Sequence, residues 1–333
     1  KETIRYRRTA EVCQNMQGRK RYEALYRGNA VNTRPIKNLP ASVRQRLLNK
    51  AKADDRPFAE LLQYYAMERF LYRLTQSKHA SRFVLKGALL LRVWNSPETR
   101  PTMDIDMLGR TSNSEPDIVA QFQDVLQTDI EPDGLIFDPR TIQTERITED
   151  ADYQGIRVRF QGLLDSARVN MQIDIGFGDV IHPKPGISEL PTILDFPAPR
   201  LLCYSRESAI AEKFEAMVKL RELNSRMKDF HDIWLLSRQF DFDGAVLSEA
   251  IRQTFSNRNT DLPADIVAFS EDFASEKQMQ WVAFRKRLQV EDLPVEFSEI
   301  TSAVRDFLAP VATALRSGEA FALSWIAPGP WAQ

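Results

Sequence analysis

Two aspartates one residue apart, Asp104 and Asp106 in Pro101-Thr102-Met103-Asp104-Ile105-Asp106-Met107-Leu108, follow a Lys86-Gly87 step that closes the apolar stretch Phe83-Val84-Leu85. Side chains alternate across a strand, so the two carboxylates share one face while Ile105 and Met107 point into a core. Like charges this close repel unless a cation sits between them, and the pair reads as a divalent-metal site beside a phosphate-binding turn. Gly87 lets backbone N–H groups approach a phosphate, and a helix beginning there adds its positive end. An ordinary strand-to-helix turn is the plainer account of the same glycine.

A third acid strengthens the pair. In Val169-Asn170-Met171-Gln172-Ile173-Asp174-Ile175-Gly176-Phe177-Gly178, the apolar Met171, Ile173 and Ile175 share one face, and Gln172 and Asp174 share the other. If this strand neighbours the first, Asp104, Asp106 and Asp174 converge and suit one or two magnesium ions, an arrangement that catalyses in-line displacement at phosphorus. Taken alone, an Asp-x-Asp pair also recurs in solvated turns.

Further along, a helix from Glu207 carries an apolar stripe of Ile210, Phe214 and Met217, with Lys213 at its edge and Arg221 within it. Cations on a buried-facing stripe need partners, because an unpaired buried charge is expensive. Triphosphate oxygens would serve, and so would structural acids. Asp229 and Asp232 fall in the first turn of the next helix, where the helix dipole favours them whatever else they do. The His231-Asp232 pair suggests a metal phosphohydrolase, but His79 and His182 are the only other histidines, too few for such a centre.

The elements that must position these residues are legible from periodicity. Helices are predicted over Ala41 to Asp54, Pro57 to Gln76, a short stretch through Leu89, Leu90, Leu91 and Val93, and one from Pro116 through Leu126. Strands are predicted over Phe83 to Lys86, Asp104 to Leu108, Thr141 to Ile147, Ile156 to Leu164 and Val169 to Phe177. The proline-rich segment His182 to Pro199 reads as an extended linker or a strap across the first domain. Helices then fill Glu207 to Leu223, Lys228 to Phe240, Phe242 to Phe255, Glu276 to Leu288 and Val295 to Leu315, before a turn-rich tail. Mixed elements followed by helices alone imply an α+β domain joined to a helical one. The divisions are a basic extension over 1–40, the α+β domain with its leading helices over 41–200, and the helical part over 201–333.

The net charge of -1 excludes a globally basic nucleic-acid binder, yet the charge is uneven. Arg5, Arg7, Arg8, Arg19, Lys20, Arg21, Arg27, Arg34 and Lys37 crowd the first forty residues. That stretch reads either as an extension outside the fold or as an arm that touches RNA phosphates. The cations Arg252, Arg258, Arg285, Lys286 and Arg287 read either as a track for an RNA backbone or as scattered solvent-facing charge. Cys13 and Cys203 stand far apart in no metal-ligand spacing, which suits a reducing cytoplasm. No apolar run is long enough to span a membrane and no export signal is seen, so a cytoplasmic protein is expected.

The joint pattern of Phe83-Val84-Leu85-Lys86-Gly87, Arg100-Pro101-Thr102-Met103-Asp104-Ile105-Asp106, Gln172-Ile173-Asp174-Ile175-Gly176-Phe177-Gly178, Ala211-Glu212-Lys213-Phe214-Glu215-Ala216 and Lys228-Asp229-Phe230-His231-Asp232 resembles the AbiEii/AbiGii toxin family. These are nucleotidyltransferase-like proteins of bacterial toxin-antitoxin and abortive-infection systems, and the resemblance spans Asn38 to Trp331. It implies a DNA polymerase β-like nucleotidyltransferase domain with a mixed sheet, followed by a helical C-terminal domain, and an antitoxin encoded nearby. The related MenT toxins add nucleotides, chiefly pyrimidines, to the 3′ end of tRNA and block aminoacylation. Carried over position by position, Lys86 and Gly87 become the phosphate-side turn, and Asp104, Asp106 and Asp174 the metal ligands. Lys213 becomes the nucleotide-contacting lysine and Asp229 or Asp232 the acid of the last motif. Arg100, Thr102 and Arg221 join the nucleotide-binding set, with Arg92 also within reach of substrate. The wider superfamily has Gly-Ser where Lys86-Gly87-Ala88 stands, which removes a hydroxyl that meets the triphosphate, and the spacing from Gly87 to Asp104 is longer.

The expected activity is therefore transfer of a nucleotide from Mg-NTP to an RNA 3′ end, tRNA first among the acceptors. Two alternatives stand beside it: a nucleotidyltransferase acting on a small molecule or protein, and a non-catalytic module that binds nucleotide or antitoxin.

Overall fold

A computed structural model describes residues 38–96, 101–150, 153–288 and 293–333. The basic arm up to Lys37, together with Cys13 and Arg100, lies outside the described residues.

Two helices lead. In α1 (Leu39–Ala53), the Asn38 side chain accepts from the Ala41 N–H at 3.2 Å and caps the first turn. The longer α2 (Phe58–Gln76) buries Leu62, Tyr65, Phe70 and Leu74 on the sheet. The strands are β1 (Phe83–Lys86), β2 (Ile105–Gly109), β3 (Leu135–Asp150), β4 (Tyr153–Leu164), β5 (Ala167–Phe177), β6 (Gly186–Glu189) and β7 (Arg200–Cys203), with α3 (Leu90–Val93) after β1 and α4 (Glu115–Leu126) after β2. They form one mixed seven-stranded sheet in the order β3-β4-β5-β2-β1-β7-β6. The β2/β5 and β1/β7 contacts are parallel and the other neighbours antiparallel.

The period-2 reading explains which face is covered. Val158 pairs with Ile173 and Phe160 with Met171, and these side chains are buried under α2 and α4. Phe70 of α2 anchors that packing, with ring centroids 5.5 Å from Phe122 and 5.4 Å from Phe160. Truncating a phenylalanine so enclosed costs about 3–5 kcal/mol. On the opposite face Arg157 pairs with Asp174 and Arg159 with Gln172, a polar row left open for a site.

The proline-rich segment is more ordered than a linker. Its β6 closes the sheet edge against β7, and the segment lies against α2, where Glu68 accepts from the Ile193 N–H at 2.8 Å and Arg69 donates to the Pro197 carbonyl at 2.7 Å.

A second hydrophobic core lies in the helical part, formed by α5 (Arg206–Leu220), α6 (Met227–Gln239), α7 (Gly244–Asn257), α8 (Glu271–Leu288) and α9 (Phe297–Ser317). Leu91 of α3 belongs to this core, and Trp94 packs against both cores, so the segment after Gly87 joins the two halves. Phe242 and Asp243, expected to begin a helix, instead form β8 (Phe242–Asp243), paired with β9 (Ser324–Trp325). The helix starts two residues later than expected, at Gly244, because the Asp243 carboxylate accepts from the Ala245 and Val246 N–H groups, a cap that periodicity does not reveal. The turn-rich tail also contributes structure: β10 (Trp331–Ala332) pairs with β9, and the Trp331 indole donates to the Phe307 carbonyl at 2.8 Å.

Candidate active site

The open face of the sheet places charges in a single transverse row. Lys86 of β1 is in register with Asp106 of β2, Asp106 with Asp174 of β5, Asp174 with Arg157 of β4, and Arg157 with Glu145 of β3. Neighbours in register share a face, so Asp106 and Asp174 stand side by side although they are far apart in the chain.

Gly87 makes this row possible. Its φ of +75° lies in the left-handed region, and a Cβ there would run into the Asp106 carboxylate. Burial first, and the neighbouring Asp104 second, push the Asp106 carboxyl up to about 6, while Lys86 and Lys228 draw it down. Asp104 is positioned from below. Its Oδ1 accepts from the Thr102 hydroxyl at 2.7 Å, the Thr102 N–H donates to the Tyr64 hydroxyl at 3.0 Å, and the Gln63 amide donates to the carbonyls of Met103 and Asn170. Two polar residues of α2, Gln63 and Tyr64, thus fix the segment that carries Asp104.

The three acids do not close on one point. Asp174 is held by both arms of the Arg157 guanidinium, with Nε to Oδ1 at 2.8 Å and Nη2 to Oδ2 at 2.7 Å. Among the described residues no group of three or more His, Cys, Asp or Glu is arranged to hold a metal ion. The expectation of a ready three-carboxylate site is therefore corrected to an Asp104/Asp106 pair with Asp174 beside it, already neutralised by an arginine. Asp104 and Asp106 fit a cation by their chemistry, since two hard oxygen donors with one raised proton affinity are what a divalent ion relieves.

The helical wall faces this row. Lys213 of α5 reaches Asp229 at 3.2 Å and Asp232 at 3.0 Å, both in the first turns of α6. The two acids are buried, so their service to the helix dipole is joined by a specific cation. Lys86 pairs with Asp179 at 2.9 Å and with Glu212 at 3.3 Å. Arg258 completes that cluster by donating to Asp179 and Glu215, each at 2.9 Å. Burial raises the Glu212 carboxyl, and the Lys86 ammonium opposes the shift. Lys86 thus ties the end of β1 to α5 while it also lines the cleft.

Arg221 is a further correction. Helix α5 stops at Leu220, Arg221 adopts a φ of +47°, and its exposed side chain lies 3.5 Å from Glu222, outside the cleft. Helical spacing placed it on the stripe only because the stop was not visible. Arg92 sits with its guanidinium 4.6 Å from the Tyr64 ring centre, supporting the residue that holds Thr102. His231 is fully buried, with its ring nitrogen 3.2 Å from the Asp232 carboxylate.

The cleft between the two walls has a volume of about 290 Å³ and brings Lys86, Gly87, Thr102, Asp104, Asp106, Asp174, Lys213, Asp229 and Asp232 together. Sequence reasoning did not assign Arg157, Arg226 or Lys228, which also line it. The alternation Arg157-Val158-Arg159 marks Arg157 as open-face, but its pairing with Asp174 needs the β4/β5 register.

A mixed sheet with paired acids beside a glycine turn, closed by a lysine from a helical half, is the arrangement of a nucleotidyltransferase. The family model for the nucleotidyl transferase AbiEii toxin of Type IV toxin-antitoxin systems matches residues 69–310. The chain belongs to this family and is a nucleotidyltransferase. No curated protein matches it. Among solved structures, it is similar to the nucleotidyltransferase toxin MenT4 from Mycobacterium tuberculosis, at 16% identity and TM-score 0.43, covering 84% of this chain and 99% of that one. It is also similar to JHP933 from Helicobacter pylori, at 13% identity and TM-score 0.41, covering 77% and 96%. No helix among the described residues is long and apolar enough to cross a membrane.

Proposed function

We propose that this enzyme transfers a nucleotide from an NTP to the 3′ end of an RNA, with tRNA as the acceptor, and so blocks translation in the cytoplasm. The observation that carries the reading is the placement of Asp104 and Asp106 at the Gly87 turn, in one cleft with Lys213.

Asp104 and Asp106 would hold magnesium, which when bound neutralises phosphate charge and acidifies an attacking hydroxyl. The chain's own residues do the rest. Thr102 and Tyr64 orient the Asp104 carboxylate, and Gly87 leaves room for Asp106. Lys213, swung between Asp229 and Asp232, faces the phosphates while those acids fix its direction. Arg157 keeps Asp174 from adding a third bare charge to the row. In the transfer, the RNA 3′-hydroxyl oxygen bonds to the α-phosphorus, the bond to the bridging oxygen breaks, pyrophosphate leaves and the hydroxyl proton passes to solvent. Most of the acceleration comes from holding the reactants in line. A cognate antitoxin encoded nearby completes the system.

The test is transfer from each labelled NTP into separate pools of tRNA, protein and aminoglycosides. Label in tRNA, lost in a folded Asp104→Asn variant, is expected. Label only in protein or small molecules would move the activity to another acceptor, and undiminished transfer by Asp104→Asn would refute the mechanism.

A further inference from the structure

Most cations that line the cleft are already matched. Lys86, Arg157, Lys213 and Arg258 each sit in an ion pair with a carboxylate of this chain. A neighbouring groove behaves differently. It has a volume of about 590 Å³ and runs between the start of α6 and the last turns of α8, with Pro101 at its mouth. Its polar rim holds Arg226, Lys228 and Arg287, its apolar surface Met227, Ala283, Phe284 and Leu288, and no acid among the described residues lines it. None of the three cations forms an ion pair among the described residues.

Three positive charges with no ion pair among the described residues, beside apolar side chains, match a polyanion that also offers flat apolar faces. Single-stranded RNA is such a ligand, with phosphates for cations and unstacked bases for apolar side chains. The groove is continuous with the cleft, because Arg226 and Lys228 line both. Lys228 lines the cleft together with Asp104 and Asp106. A strand lying in the groove therefore ends beside the Asp104/Asp106 pair. An acidic peptide would satisfy the cations but would have no reason to end there.

We propose that this groove is the acceptor track, in which Arg226, Lys228 and Arg287 hold the phosphates of the single-stranded 3′ end and the floor around Ala283, Phe284 and Leu288 receives a base. The proposal rests on an RNA acceptor as the substrate and adds where that acceptor lies. Arg287 is the informative position, since it is exposed on α8 and lines the groove but not the catalytic cleft.

The experiment titrates fluorescently labelled bacterial tRNA into the full chain at several salt concentrations without NTP, and measures Mg-NTP binding separately. Arg287→Glu is expected to weaken RNA binding and lower the slope of log K against log salt by about one, leaving Mg-NTP affinity unchanged. Arg287→Lys should retain RNA binding, since a phosphate contact needs the charge. Unaltered RNA affinity and salt slope in Arg287→Glu would overturn the track even if the wild-type enzyme labels tRNA. A wild-type enzyme that transfers nucleotide but neither binds nor labels RNA would overturn the acceptor assignment and the track together. Equal losses of RNA and Mg-NTP binding would also overturn it, by placing Arg287 in the nucleotide site.

Discussion

The two faces of the sheet treat charge in opposite ways. Under the covered face, Arg73 donates to both oxygens of Asp133, at 2.7 and 3.0 Å, and to the Leu135 carbonyl, while Arg69 lies beside Glu68 and reaches the Pro197 carbonyl. The Arg73–Asp133 pair is matched within the chain, and these contacts lock α2 to the segments around it. On the open face Asp104 and Asp106 stand together, with one carboxyl pushed up to about 6. Surplus of one sign costs stability and is tolerable where a ligand removes it. The contrast separates charge that holds the fold from charge that awaits substrate.

Paired substitutions on the two faces sharpen that contrast most. Arg73→Met strands the buried Asp133 carboxylate and should lower unfolding free energy by about 3–5 kcal/mol in denaturant titrations. Asp106→Asn should end nucleotide transfer while stability at pH 8 stays level or rises, because a repulsion is removed. Equal destabilisation by both variants would erase the distinction.

The next effect is in pH. Burial pushes the Glu68 carboxyl up to about 7, against the pull of Arg69 and the Ile193 N–H. The folded state then keeps a proton that the unfolded chain releases above its ordinary value of 4.5, so stability falls as pH rises from about 4.5 to 7 and is level above. The contribution is on the order of 3 kcal/mol, and Glu68→Gln should reduce the pH dependence of the melting temperature across that window, leaving the part carried by the raised Asp106 and Glu212 carboxyls. A wild-type profile that rises through the window would contradict the assignment. Smaller again is the stability cost of Gly87→Ala, about 1–2 kcal/mol for the left-handed backbone. Its consequence for transfer is larger, because the new Cβ displaces the Asp106 carboxylate. Retained transfer in that variant would show that the turn does not set the site.

What could be read from the chain was whatever depends on alternation or on one local step. The face shared by Asp104 and Asp106, the placement of Asp174 opposite Ile173, and the need for Gly87 after a strand all follow from periods of two and from a single turn. What could not be read depends on register and on stops. Arg157 meets Asp174 through the β4/β5 pairing, Lys86 turns to Asp179 and Glu212 through packing of α5, and Arg221 leaves the stripe because the helix ends one residue before it. The strands β6, β8, β9 and β10 are two to four residues long, too short for a periodic signal.

The parallel pairing of β2 with β5 has a consequence for the timing of toxicity. Asp104 and Asp106 leave the ribosome well before their neighbour Asp174, and Lys213 and Asp229 follow later still. A growing polypeptide thus carries its acids for a long interval without the partners that make them useful. A working enzyme would exist only after most of the chain had been synthesised.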